Sequence, residues 1–367
     1  MKMLKRSICA TAARLLAGLM AVAAVAGAGP AGAEQLAKNL FGTQQLPAAT
    51  PPRSIGFYSK GCFSGGVALP LTGPTWEVMR PSRNRNWGHP ALIALLEQFS
   101  RDAAADGWPG LLIGDISQPR GGPMRTGHAS HQIGLDVDIW FQPMPPQPYS
   151  LTEREKVPFV SMLKPRSLTV DDRRWTPAHT LVLKRAASYP QVERILVHPG
   201  IKKRLCDTVV GDRSWLRKIR PFWGHDEHFH IRIGCQPGSP DCKKQAAVPA
   251  GEGCDKSLAW WFTDEPWRPN ENPDAPKARD LMTMASLPKE CRAVLAAPAP
   301  ASMEAATYRG GSAVAAAAPA PSPGPSPAPA ASIPAIIGET QAAPVTASAF
   351  APTPAIGVPL PRPRPGN

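Results

Sequence analysis

The sequence predicts a fold that mixes helices with strands, and three runs carry the prediction. Between Pro90 and Gly107 the apolar residues Leu92, Ile93, Leu95, Leu96 and Phe99 recur at helical spacing. In Leu135-Asp136-Val137-Asp138-Ile139-Trp140 and in His228-Phe229-His230-Ile231-Arg232-Ile233, polar and apolar residues alternate with the period of a strand.

Taken in order, Pro90 opens the first helix and Gly107 ends it. Leu111-Leu112-Ile113 reads as a short apolar strand, and the Gly-, Pro- and Arg-rich stretch from Ser117 to Gly127 as a loop. A second helix takes Thr176 as its cap and Pro177 as its first residue and runs to about Ser188; Arg194 to His198 reads as a strand. In the two alternating runs, Leu135, Val137 and Ile139, and likewise Phe229, Ile231 and Ile233, face the core. The opposite faces carry Asp136, Asp138 and Trp140, and His228 and His230. Laid side by side, these faces would form one floor.

The ends differ in composition from this middle. Lys2, Lys5, Arg6 and Arg14 precede an apolar run to about Ala26 and then Ala31-Gly32-Ala33, the layout of a secretory signal peptide over residues 1–33. The run is too short and too broken by Gly and Pro for a membrane span, so no stable membrane anchor is expected after cleavage. Residues 34–295 read as one large folded domain, and 296–367, dominated by Ala, Pro and Ser, as a disordered tail. The leader holds four of the 41 basic residues and none of the 28 acidic ones, so the remaining chain stays basic. That charge suits an anionic envelope polymer or plain solubility, and no Lys/Arg block suggests nucleic acid. Beyond Cys9, six cysteines remain without a Cys-x-x-Cys pair. In an oxidising compartment they imply disulfides, with 15 pairings open to sequence alone.

Five of the eight histidines, His128, His131, His225, His228 and His230, fall in two short stretches next to the alternating runs. A catalytic zinc takes three protein N or O ligands and keeps one position for water, which a strand with its preceding loop and a second strand can supply. The alternative is a hydrogen-bonded structural cluster of imidazoles.

Ser130-His131-Gln132-Ile133-Gly134-Leu135-Asp136-Val137-Asp138 resembles the His-x6-Asp motif of the lysostaphin, D-Ala-D-Ala dipeptidase and hedgehog-like metallopeptidases, and His228-Phe229-His230 their His-x-His. With Ser117 to Pro123 added, the order of motifs resembles the penicillin-insensitive murein endopeptidases across roughly Leu40 to Cys291. The resemblance implies an α+β fold in which a small antiparallel sheet carries the site, flanked by helices and long disulfide-braced loops. It implies Zn2+ on His131, Asp138 and His230, with His228 catalytic. It also implies the bridges Cys62–Cys291, Cys206–Cys254 and Cys235–Cys242.

His128 and His225 are then candidates for substrate contact, transition-state stabilisation, a second metal or support of the ligands. In the family pattern a second zinc would use His128 with an Asp and a His from a following segment, where Asp171, Asp172 and His179 stand at a departing spacing. Asp136 reads as an acceptor behind a ligand or as an exposed acid. Arg120 and Arg125 suit a substrate carboxylate or a solvated loop. Trp140, Trp223, Trp260 and Trp261 suit a groove wall or a core.

The chemistry so implied is metal-assisted hydrolysis, in the periplasm, of the amide joining D-alanine to meso-diaminopimelate in cross-linked peptidoglycan. No His-Glu-x-x-His, Gly-x-Ser-x-Gly or Ser-x-x-Lys motif is present, so penicillin, which acylates a serine, should not inhibit. The rivals are a D,D- or L,D-carboxypeptidase or dipeptidase on murein peptides, and a non-catalytic zinc-containing cell-wall-binding domain.

Overall fold

The computed structural model describes residues 34–269 and 271–310; the expected leader and residues 311–367 of the expected tail lie outside them. The chain divides after Gln35, and the sheets, helices and disulfides below all belong to the unit that begins at Leu36.

The expected mixture of helices and strands is present, built around a seven-stranded sheet of order β10-β9-β11-β8-β7-β5-β4. Its members are β4 (Thr72–Gly73), β5 (Trp76–Val78), β7 (Leu111–Ile113), β8 (Asp136–Pro143), β9 (Val192–Val197), β10 (Ile219–Pro221) and β11 (His228–Ile233). Two small antiparallel pairs stand apart, β1 (Arg53–Phe57) with β2 (Lys60–Ser64) and β3 (Val67–Ala68) with β6 (Trp87–Gly88). The four central strands β9, β11, β8 and β7 are antiparallel neighbours, while β10 joins β9, and β5 joins β7, in parallel. The sheet is thus wider than alternation foretells, because flanking strands of two or three residues are too short to display a period.

β8 and β11 lie side by side in a register that sets His228 opposite Trp140, His230 opposite Asp138 and Arg232 opposite Asp136. Val137, Ile139, Phe229, Ile231 and Ile233 face the main core. There they meet Leu92, Ile93, Leu96 and Phe99 of the helix Pro90–Ala105, each side chain contributing about 2 kcal/mol by burial. The polar face is covered as well: Asp136 and Asp138 are buried, and Trp140 packs with Met79, Leu112 and Met144. Alternation identifies the two faces, but not that loops close over the second.

Each long helix begins at a proline. Pro90 follows the cap His89, Pro177 follows Thr176, and Pro199 opens the helix Pro199–Thr208 after His198. The loop 117–127 carries no regular element, yet its first half is buried. Gln118 Nε2 donates within it to the Gly121 and Pro123 carbonyls at 2.9 and 3.1 Å.

Three disulfides brace this frame. Cys62–Cys291 ties β2 to the helix Glu290–Ala296, Cys206–Cys254 ties the helix Pro199–Thr208 to a later loop, and Cys235–Cys242 closes a loop directly after β11. Ordered packing continues past position 295, where composition sets the tail. Ala49 N–H donates to the Pro298 carbonyl at 2.8 Å and Tyr308 N–H to the Ala68 carbonyl at 2.9 Å, and Ala306 is buried beside Phe63, Ala68 and Trp87. A short anchor of that kind disappears in an average over an Ala/Pro-rich stretch. No helix among the described residues is long and apolar enough to cross a membrane.

Candidate functional site

Asp138 sits at the centre of the histidine cluster. Its carboxylate lies 3.4 Å from His128 Nε2, 3.4 Å from His131 Nε2, 3.6 Å from His228 Nε2 and 3.0 Å from His230 Nδ1. His225 closes the ring, its imidazole 5.0 Å from that of His228 and 5.9 Å from that of His230. All five clustered histidines thus gather around one carboxylate delivered by β8.

The loops reach this arrangement through uncommon backbone. His131 and His225 adopt positive φ of 66° and 58°, a region that costs a non-glycine residue about 1 kcal/mol or more and persists where its surroundings enforce it. Gly134, the interior glycine of the first motif, has φ 71°, and a Cβ there would come within 2.9 Å of Phe63 and 3.0 Å of the His89 nitrogen. Only glycine suits a turn that is both left-handed and closed against β2.

Hydrogen bonds fix which ring nitrogen faces inward. His131 Nδ1–H donates to the Ile116 carbonyl at 2.6 Å, which leaves Nε2 buried, without a hydrogen-bond partner, beside Asp138. His230 Nε2 is held 3.1 Å from Asp136, which leaves Nδ1 toward Asp138. His225 Nδ1–H donates to the Trp223 carbonyl at 2.8 Å. Asp136 is fully buried and stands behind the cluster, accepting from the His131 backbone N–H at 3.1 Å and from Arg232 at 2.7 and 3.1 Å. The exposed-acid reading of Asp136 therefore falls.

Burial lowers the pKa of His131, His225 and His228, which favours the neutral imidazole that can bind a metal or accept a proton. His230 is also disfavoured as a cation by burial, but the Asp136 and Asp138 carboxylates outweigh this and raise it to about 9.

The donor set fits a metal ion. His128, His131 and Asp138 present ligand atoms within 4.8 Å of one another, and His230 Nδ1 adds a further nitrogen at Asp138. The unpaired, buried His131 Nε2 is the strongest sign, since an orphaned polar atom in a dry site calls for a partner. Two or three imidazoles with one carboxylate are a zinc-type set.

A cleft opens on this cluster, lined by Arg80, Arg83, Asp115, His128, Asp138, Trp140, Phe159 and His228. Asp115 is the residue that sequence reasoning missed. It lies just past β7, its backbone carbonyl accepts from Asp138 N–H at 3.0 Å, and its carboxylate meets His128 Nε2 at 3.1 Å, Arg85 at 2.8 Å and Arg83 at 3.2 Å. The signals available were an acid two residues beyond an apolar strand and three arginines, Arg80, Arg83 and Arg85, within six residues.

Other candidates lie elsewhere. Arg120 is buried and donates to the carbonyls of Val294, Leu295 and Ala297 at 2.7, 2.8 and 2.8 Å, capping the C-terminal end of the helix Glu290–Ala296. Arg125 is exposed and reaches only toward the Asn39 carbonyl at 3.5 Å. Neither lines the cleft. The residues weighed for a second metal are engaged apart from His128: Asp171 with Arg173, Asp172 with Arg204, and His179 Nδ1 accepting from the Thr176 N–H at 3.0 Å. Of the four tryptophans only Trp140 lines the cleft, whereas Trp223, Trp260 and Trp261 pack on one another with ring separations from 4.6 to 6.5 Å.

The profile of the penicillin-insensitive murein endopeptidase family matches residues 54–296. Relatives named penicillin-insensitive murein endopeptidase include one from Haemophilus influenzae, 44% identical over 223 residues that make up 61% of this chain and 77% of the relative. One from Pectobacterium atrosepticum is 39% identical over 249 residues, 68% of this chain and 86% of its own. One from Klebsiella pneumoniae is 37% identical over 265 residues, 72% of this chain and 94% of its own. The matched stretch encloses the five clustered histidines, Asp138 and all three disulfides, and on this ground the chain belongs to the penicillin-insensitive murein endopeptidase family.

Proposed function

We propose that this chain is a zinc-dependent murein endopeptidase that hydrolyses the D-alanyl-meso-diaminopimelyl cross-bridge amide of peptidoglycan in the periplasm and is insensitive to penicillin. The observation that carries the reading is the unpaired His131 Nε2, buried against Asp138 at the centre of the cluster that the family match encloses.

The ligands in this reading are His131 through Nε2, Asp138, and His230 through Nδ1. Each of the two imidazoles has its other nitrogen held, by the Ile116 carbonyl and by Asp136 respectively, and such partners orient metal-binding histidines. His128 commits Nε2 to Asp115 at 3.1 Å, which favours a place beside the metal rather than on it. A zinc ion held by these residues would supply Lewis acidity toward the scissile carbonyl and the attacking water. His228, part-exposed at the cleft, takes the water proton and returns it to the leaving amine. His225, with its Nδ1–H given to the Trp223 carbonyl, keeps Nε2 as an acceptor and would take a hydrogen bond from a substrate N–H or the leaving amine. Three disulfides suit an oxidising compartment, and the family name supports murein as substrate.

Digestion of murein sacculi by the zinc-loaded protein, with penicillin present and a chelator control, tests the reading. Conversion of cross-linked dimers to monomers with terminal D-alanine retained supports it. Trimmed monomers with intact dimers would replace it with a carboxypeptidase, and no product at all with a binding domain.

A further inference from the structure

We propose that Arg83 anchors a free substrate carboxylate, the one on the diaminopimelyl carbon bonded to the scissile amide nitrogen, and so selects the peptides that the cleft accepts. This rests on the murein reading above and names the contact that would discriminate among murein peptides.

Arg83 ends a single 3-10 turn, Pro81–Arg83, that brings two arginines to the cleft. Two non-glycine residues in the left-handed region bracket the turn, Arg80 at φ 56° and Asn84 at φ 50°. Among the described residues only five non-glycine positions have positive φ, and two of the others are His131 and His225. Strain of this kind points to a held geometry. The turn is indeed fastened from several sides. Ser82 donates through N–H and Oγ to Glu155 at 2.7 and 2.9 Å. Asn84 donates to the Gln45 carbonyl at 3.1 Å and accepts from Trp87 Nε1 at 2.6 Å.

The arginines divide their donors unequally. Arg80 gives its guanidinium to the carbonyls of Arg154 and Val157 at 2.6 and 2.5 Å and lies over the rings of Trp140 and Phe159, so it forms wall. Arg85 is spent on Asp115 at 2.8 Å and on Thr126 at 3.1 Å. Arg83 donates through Nη1 alone, at 3.2 and 3.4 Å to Asp115, and 41% of its side chain is exposed. Its Nε and Nη2 make no hydrogen bond among the described residues, and so remain for a ligand.

Charge selects the ligand. At this corner two carboxylates, Asp115 and Asp138, meet three guanidiniums, Arg80, Arg83 and Arg85, and His128, so the unmatched charge is positive and the complementary group an anion. A guanidinium fork pairs best with a planar carboxylate. Asp115 touches His128, and His128 touches Asp138, so the anchored carboxylate would lie close to the reacting amide. In the cross-bridge the amide nitrogen is borne by a carbon carrying a free carboxylate, as is the amide of any C-terminal residue, whereas an α-linked amide inside a chain offers no charge at that carbon.

The test uses two muropeptide dimers, one with that carboxylate free and one with it amidated, and the variants Arg83→Gln and Arg83→Lys. For the free carboxylate, Arg83→Gln should raise KM about 10- to 100-fold, the loss of a hydrogen-bonded charge pair. The value of kcat and the bound zinc should stay unchanged, and Arg83→Lys should fall between. The native protein should show a like rise in KM on the amidated dimer, and Arg83→Gln should no longer tell the two apart. Equal impairment on both dimers would mean that Arg83 acts only by holding Asp115 and would overturn the proposal, as would equal cleavage of both by the native protein. Failure of the native protein on both dimers would sink the endopeptidase reading instead. Calorimetric binding of the free and amidated diaminopimelyl peptides would then decide, equal affinity overturning the anchor.

Discussion

Asp136 on β8 and Arg232 on β11 pair through both carboxylate oxygens, Nε donating at 2.7 Å and Nη2 at 3.1 Å, with Tyr58 stacked 4.0 Å from the guanidinium. The same carboxylate holds the His131 backbone and His230 Nε2, so one buried acid orients both imidazoles assigned to the metal. Asp136→Asn should therefore weaken zinc binding about 10- to 100-fold without removing a ligand. It should also cost about 3 kcal/mol, because it strands a buried guanidinium. Chelator competition and denaturant melts give the two numbers. Native zinc affinity in this variant would show that Asp136 orients nothing.

A sharper division is expected between β11 neighbours. His131→Ala, Asp138→Ala and His230→Ala should each lose zinc and turnover together. His228→Ala should keep zinc and lose about 100- to 10,000-fold in kcat. His128→Ala should keep zinc as well. Metal analysis that finds zinc retained by His230→Ala but lost from His128→Ala would move the site onto His128, His131 and Asp138, whose ligand atoms also cluster.

How far the sequence foretells this site depends on where each group finds its partners. Asp138 and His230 were legible because strands of six to eight residues display their alternation, and the two strands pair in register. Helix starts were legible because Pro90 and Pro177 act locally. Arg120 was not, since the carbonyls it caps arrive from Val294 to Ala297, some 170 residues away along the chain. Nor was Asp115, a lone acid whose meaning comes from Arg83, Arg85 and His128 only once the chain is folded. His179 has the right identity for a ligand, but its ring is taken up by the Thr176 cap and by stacking on Trp175 at 4.9 Å.

The three disulfides should differ in worth by the loops they close. Their sequence separations are 229, 48 and 7 residues for Cys62–Cys291, Cys206–Cys254 and Cys235–Cys242. Loop-closure entropy then predicts losses of about 5, about 4 and about 2 kcal/mol on replacing each pair by serine. Chemical denaturation of the three double variants tests the order. The shortest loop follows β11 directly, so its loss should also lower zinc affinity, which the middle bridge should leave alone. A Cys235/Cys242 variant that is the least stable of the three would refute the entropic account.

Stability should fall in mild acid for a reason separate from the metal. His89 and His198 each cap a helix that continues with proline, and their Nδ1 atoms accept from the backbone N–H of Ala91 at 3.2 Å and Gly200 at 3.0 Å. An accepting nitrogen must be unprotonated, and burial lowers both imidazoles to about 4. An unfolded histidine titrates at about 6.5. Between these values the unfolded chain binds more protons, so the contribution is fully present above about 6.5 and is lost as the pH falls through about 4. For a shift of that size each histidine contributes up to about 3 kcal/mol. Asparagine can cap the helix without titrating. His89→Asn should therefore lose about 2 kcal/mol less than the native protein when denaturation is compared at about pH 7.5 and about pH 4.5. The metal site titrates alike in both proteins and cancels in the comparison. Equal losses would mean that the His89 cap carries none of the acid sensitivity.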